Sequence, residues 1–116
     1  MDYKELDIWL QARELVKSVY VLTTNFPKDE QYSLTSQIRR CAVSVPSNIA
    51  EGCGRQSAKE TVHFLHIARG SLFELETQLI LASDLDYVGS DMTTIMTEID
   101  RVKKLLNGFI NYHKKL

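Results

Sequence analysis

The chain has 116 residues, with 14 Lys and Arg against 15 Asp and Glu, a formal net charge of -1, 44% hydrophobic and 25% charged residues. That composition excludes a disordered, collagen-like or disulfide-scaffold chain and fits one globular domain over residues 1–116, large enough to bury a core without a metal or disulfide. No run of eighteen apolar residues occurs and the N-terminus leads into no apolar signal segment, so a cytoplasmic protein with no membrane contact is expected.

Apolar residues recur at alternating steps of three and four in four stretches, the pattern of helices with one buried side. The first, Ile8, Ala12, Leu15, Val19 and Leu22, ends at Phe26-Pro27 and predicts a helix over residues 6–25, because proline disfavours helical geometry in the residue before it. The second, Leu34, Ile38, Ala42, Val45 and Ile49, predicts a helix over 31–53 that stops at Gly52-Cys53-Gly54 in a left-handed turn. Pro46 lies inside this seam; it removes one backbone donor and crowds the Ala42 carbonyl, so a kink is expected there, with Ser44 and Ser47 available to the freed backbone groups. A separate short helix beginning at Pro46 is the alternative.

Ser57-Ala58-Lys59-Glu60 has the form of a capping box and opens a third helix over 57–84, with the seam Leu65, Ala68, Leu72, Leu75, Leu79 and Ala82. A fourth, over 90–115, starts from Ser90 as N-cap and carries Met92, Ile95, Ile99, Val102, Leu106 and Phe109. Short connections force neighbouring helices antiparallel, so the expected fold is all-α, an up-down-up-down four-helix bundle. Cys41 and Cys53, twelve residues apart, would be separated by roughly 18 Å if they lie on one helix, and are read as unbridged, small buried or half-buried hydrophobes.

The run from Ser36 to Gly52, Ser-Gln-Ile-Arg-Arg-Cys-Ala-Val-Ser-Val-Pro-Ser-Asn-Ile-Ala-Glu-Gly, resembles the signature of the four-helix-bundle proteins encoded by intervening sequences in bacterial 23S ribosomal RNA genes. Leu6-Asp7-Ile8-Trp9 with Ala12, Phe26-Pro27 with Tyr32 and Leu34, and the stretch from Phe64 to Ser71 with Glu74 to Leu79 extend the likeness over nearly the whole chain. The accessory variability protein of diversity-generating retroelements is similar in fold, a homopentameric barrel that binds nucleic acid and a reverse transcriptase. The resemblance therefore implies a pentamer, with RNA or DNA and a protein as candidate partners. This chain departs from the pattern in Cys41, where alanine is usual, and in a net charge far from that of the strongly basic retroelement protein. For the ribosomal members the resemblance implies no established activity.

Arg101 to Leu116 holds five bases and no acid, whereas Asp84 to Asp100 holds five acids and no base. Part of this matches the helix dipole, but repeated around a ring Lys103, Lys104, Lys114 and Lys115 would form a positive band for phosphates. Arg39 and Arg40 with Arg55 and Lys59 are expected as a second basic cluster near a helix end; pairing with Glu51, Glu74 or Glu76 is the structural alternative, which the neighbouring acids favour. Pro46, Glu51 and Gly52 are taken as structural.

A second stripe on helix 3, His63, His66, Gly70, Phe73, Thr77 and Ile80, cannot share one core with the first and marks an oligomer interface. Trp9, Val16 and Tyr20 similarly widen the apolar side of helix 1, for which a broad intramolecular core is an equal explanation. Glu60, His63 and His66 supply only half of a carboxylate-bridged metal motif, and no Ser or Cys has a base-and-oxyanion setting. We therefore expect neither metal, cofactor nor catalysis, but a nucleic-acid-binding accessory protein, or else a protein-binding or structural scaffold.

Overall fold

The structure, a computed structural model, describes residues 2–116. Its helices are α1 (Asp7–Thr23), α2 (Leu34–Cys53), α3 (Ala58–Asp84) and α4 (Met92–Lys114), with 3-10 turns at Tyr3–Glu5 and Lys28–Glu30 and no strand among the described residues. α1 packs against α2 and α4, and α3 packs against the same two, giving an antiparallel up-down-up-down bundle 45 × 25 × 21 Å in extent.

The four seams fill its centre. Leu65, Ala68, Leu72, Leu75, Leu79 and Ala82 of α3 are wholly buried against Ala12, Leu15 and Val19 of α1, Ile38, Val45 and Ile49 of α2, and Ile99, Val102 and Leu106 of α4. Burial on this scale stabilises by about 1.5–3 kcal/mol for each large side chain. Near the helix ends the buried position moves by one residue: Thr23 and Thr35 are buried where Leu22 and Leu34 were expected, and Ile110 replaces Phe109.

Local hydrogen bonds explain where the ends depart from expectation. α1 stops at Thr23 rather than near residue 25, with the Thr23 hydroxyl donating to the Val19 carbonyl and that of Thr24 to the Tyr20 carbonyl, both at 2.8 Å. α2 begins at Leu34, not at 31, because residues 28–30 form their own turn; Glu30 Oε1 accepts from the Leu34 amide at 3.4 Å, a cap that Ser33 does not provide. Tyr87 donates to the other oxygen of Glu30 at 2.9 Å, so one carboxylate ties together two connections at this end. Ser57 Oγ accepts from the Glu60 amide at 3.2 Å, the first half of the expected capping box. Ser90 does not cap α4: Asp91 holds that position in right-handed geometry and makes no side-chain cap bond.

α2 runs unbroken through Pro46, so no separate helix begins there. The side-chain bonds beside Pro46 do not go to the Ala42 carbonyl as expected: Asn48 Nδ2 donates to both the carbonyl and the hydroxyl of Ser44 at 2.9 Å, and Ser44 Oγ meets Ser71 Oγ of α3 at 2.8 Å. The expected left-handed stop is also absent. Gly54 is right-handed and closes α2 by donating to the Ala50 and Glu51 carbonyls, while the buried Gly52 is needed for space, since a Cβ there would lie 3.1 Å from the Thr61 carbonyl of α3.

Candidate nucleic-acid interface

The antiparallel topology collects the starts of α1 and α3 and the ends of α2 and α4 at one pole. Lys4, Arg55, Lys59, Lys114 and Lys115 therefore share that pole, around a groove of about 600 Å³ walled by Tyr3, Arg55, Phe109, Tyr112 and His113. His113 stacks edge-on with Phe109 at 4.4 Å and with Tyr112 at 5.1 Å, and its Nδ1 lies 3.0 Å from the Phe109 carbonyl. Asp2, Glu5, Glu51 and Glu60 also stand here; Asp2 caps the first 3-10 turn and Glu51 pairs with Arg55, whose guanidinium covers Phe64 at 4.4 Å. The opposite pole is acidic, with Asp29, Glu30, Asp84, Asp86 and Asp91 against Lys28.

Arg39 and Arg40 do not join Arg55 and Lys59 as the sequence suggested. About 20 Å of α2 separates Arg40 from the end of that helix. Arg39 instead clamps the end of α1: its Nε donates to Thr23 Oγ1 at 2.9 Å, its Nη2 to the Tyr20 carbonyl at 3.4 Å, and its plane lies 4.5 Å from the Tyr20 ring centre. Arg40 is exposed. Of the structural partners weighed for the arginines, Glu51 takes Arg55, whereas Glu76 takes Lys103 at 2.7 Å and Glu74 accepts from Cys41 Sγ at 3.7 Å. Lys103 is only 19% exposed and sits between α3 and α4, so among the four α4 lysines it is engaged internally, while Lys104, Lys114 and Lys115 face solvent.

All six residues of the second α3 stripe, His63, His66, Gly70, Phe73, Thr77 and Ile80, are exposed, and nothing lies within 4 Å of a Cβ built on Gly70. Ile67 and Leu81 extend the apolar surface. Phe73 is not bare: Arg69 and Lys103 stand 5.6 and 4.9 Å from its ring centre. No cluster of three or more His, Cys, Asp or Glu able to hold a metal occurs among the described residues, and no helix is long and apolar enough to cross a membrane.

Sequence reasoning missed a trough between α1 and α2. It consists of two open grooves of about 630 and 390 Å³ that share Val43 and hold Trp9, Arg13 and Lys17 alongside Tyr20, Tyr32, Arg39 and Arg40. Trp9, Val16 and Tyr20 on one side of helix 1 were the visible signal; that α2 brings arginines to them depends on how the two helices pair.

Burial pushes both thiols above the usual cysteine range, and the Glu74 carboxylate beside Cys41 adds to its shift. A raised pKa keeps the unreactive thiol form to higher pH. Iodoacetamide is expected to modify Cys41 and Cys53 more slowly than a free thiol at pH 8, the gap narrowing as pH rises; equal rates at pH 8 would contradict this burial.

The family model for 23S rRNA-intervening sequence protein matches residues 4–108. A crystal structure from Bacteroides thetaiotaomicron VPI-5482, described as a protein with unknown function from the S23 ribosomal protein family, superposes with a TM-score of 0.81 at 22% identity over 90% of this chain and 95% of that one. At that identity the likeness speaks for the fold. No curated protein matches the chain. With the signature of α2, the four-helix bundle and a family match spanning residues 4–108 all in agreement, the chain belongs to the 23S rRNA-intervening sequence protein family.

Proposed function

We propose that this protein is a non-catalytic, ring-forming accessory protein of the cytoplasm, a homopentamer that binds nucleic acid through the basic pole of each bundle. The observation that carries this reading is the uneven charge along the 45 Å axis: the far pole holds Asp29, Glu30, Asp84, Asp86 and Asp91 against Lys28 alone, whereas at this pole the exposed Lys59, Lys114 and Lys115 and the groove-lining Arg55 stand among Asp2, Glu5, Asp7, Glu51 and Glu60. A closed ring would repeat that basic pole around its axis, and a repeated patch of cations holds a polyphosphate more firmly than one copy does. The exposed α3 stripe supports assembly; a cyclic ring also needs a second, different surface to receive it.

A scaffold without nucleic-acid binding is the second reading. It is favoured by the internal engagement of Arg39, Arg55 and Lys103. Fluorescence anisotropy with labelled RNA and DNA over a salt series separates the two readings, because phosphate contacts lose affinity steeply as salt rises. Changing Lys59, Lys104, Lys114 and Lys115 together to Gln is expected to weaken binding and to flatten the log-log salt slope by about 0.7–0.9 for each phosphate no longer neutralised. Melting should be unchanged, since exposed charges contribute little to stability. Wild-type protein that shows no salt-sensitive binding at low ionic strength would leave the scaffold.

A further inference from the structure

We infer that the trough between α1 and α2 is a second contact surface, distinct from the basic pole, which holds a single strand of RNA with its bases stacked on aromatic rings; this rests on the nucleic-acid reading above. The lining contains the exposed cations Arg13, Lys17 and Arg40, with Arg39 held against Thr23 and Tyr20, and no carboxylate. That is unusual on a chain whose acids outnumber its bases; the nearest acid contact is the exposed, long pair of Glu14 with Lys17 at 3.8 Å. A cation-only wall suits a phosphate backbone.

Between these cations lie flat apolar faces. Trp9 and Tyr20 stand eleven residues apart on α1, about 16 Å along its axis, which spans about five stacked bases at the ~3.4 Å rise of a strand. Arg13 covers Trp9 at 5.6 Å and Arg39 covers Tyr20 at 4.5 Å, so each ring is already paired with a guanidinium of the kind that stacks on bases. Tyr32 is 91% exposed at the trough's edge, although it lies in the connection leading into α2 and has no core to fill there. Stacking platforms beside cations are the general means of binding single strands, whose bases are free to splay out; a duplex keeps its bases stacked on one another.

An independent observation at the same place points to a ligand. Thr35 lines the trough and is only 6% exposed, and its hydroxyl has no hydrogen-bond partner. Buried hydroxyls are normally satisfied, and a helical threonine can bond the carbonyl one turn back, as Thr23, Thr61 and Thr77 do here. The Thr35 hydroxyl is shielded from solvent as it stands, so its side chain would have to rotate to meet a ligand in the trough; there a ribose 2′-hydroxyl, both donor and acceptor, would satisfy it. Ser36 and Gln31 beside it supply further polar groups of the same kind. Deoxyribose lacks that hydroxyl, so the assignment is to RNA.

Trp9 is the single tryptophan of the chain, so its emission reports on its end of the trough, where it also meets Tyr3 of the basic-pole groove at 5.3 Å; an unmoved signal therefore excludes the trough, and quenching is assigned to it by the Tyr32→Ala/Arg40→Gln variant. Titration of the full protein with a single-stranded ten-nucleotide RNA of mixed sequence is expected to quench that emission, and the matched duplex and the matched DNA strand should bind more weakly. The variant Tyr32→Ala/Arg40→Gln changes two exposed side chains and should lose about tenfold or more in single-strand affinity while melting as the wild type does. Thr35→Val is expected to keep the fold and narrow the preference for RNA over DNA. Salt-sensitive binding that the basic-pole lysine variant removes, with Trp9 emission unmoved and Tyr32→Ala/Arg40→Gln binding normally, would overturn this inference and leave the nucleic-acid reading standing. Equal affinity for RNA and DNA overturns the RNA assignment, and a loss of assembled mass in Tyr32→Ala/Arg40→Gln shows that a second copy occupies the trough instead. The absence of any salt-sensitive binding overturns both readings together.

Discussion

Gly52→Val is expected to lower stability more than any other single change outside the central leucines. A Cβ at residue 52 would meet the Thr61 carbonyl at 3.1 Å and Phe64 Cβ at 3.2 Å, and the first of these belongs to the α3 backbone, which cannot turn aside. The Thr61 hydroxyl also donates to the Gly52 carbonyl at 2.8 Å and joins the two helices there. The added side chain must push α3 away and stretch that bond, for which overpacking and a weakened buried hydrogen bond together cost about 3 kcal/mol. In a chain of this size the melting temperature should fall by about 10 °C, measured at fixed protein concentration because the proposed assembly would itself raise it. Gly52→Ala should be milder, since the better helix propensity of alanine offsets part of the crowding. Gly54→Ala serves as the control, because its nearest neighbour would lie 3.6 Å away. A valine variant that melts within a degree or two of wild type would show that the α2–α3 contact is not set by this glycine.

Ile80→Asp should prevent the proposed assembly while leaving each bundle folded. Ile80 is 47% exposed in the single chain, so the carboxylate can stay hydrated there at little expense in folding. Its neighbours one turn away are Glu76, already held by Lys103, and Asp84, so no cation stands ready to neutralise it when the stripe is covered. An unpaired charge buried in a subunit contact costs several kcal/mol; at about 3 kcal/mol the association constant falls roughly a hundredfold. Phe73→Asp is the weaker test because Arg69 and Lys103 flank that ring and would pair with the new carboxylate. Light scattering over a dilution series reads the result. If Ile80→Asp keeps the mass of the wild type, the α3 stripe is not the subunit contact.

Periodicity alone was sufficient for the fold, because four seams of alternating three- and four-residue steps have one economical way to leave water, and Leu65, Leu72, Leu75, Leu79, Ile99 and Leu106 are buried as that requires. The signature of α2 likewise identified the family from residue types in order. Helix ends were less legible, because they depend on partners: α2 begins at Leu34 rather than 31, with Glu30 accepting from the Leu34 amide, and Asp91 stands where Ser90 was expected. The separation of Arg39 and Arg40 from Arg55 is already implicit in the length of α2 and the rise of a helix per residue. Other features exist only once helices pair. Gly52 matters because α3 passes within contact of it, Lys103 is removed from the solvent-facing lysines by a glutamate 27 positions earlier, and the trough comes into being when α2 lays Arg39, Arg40 and Thr35 beside Tyr20 of α1. Chain order encodes which residues share a helix side. The distance between sides of different helices is set by packing, and it decides which charges remain free to meet a partner.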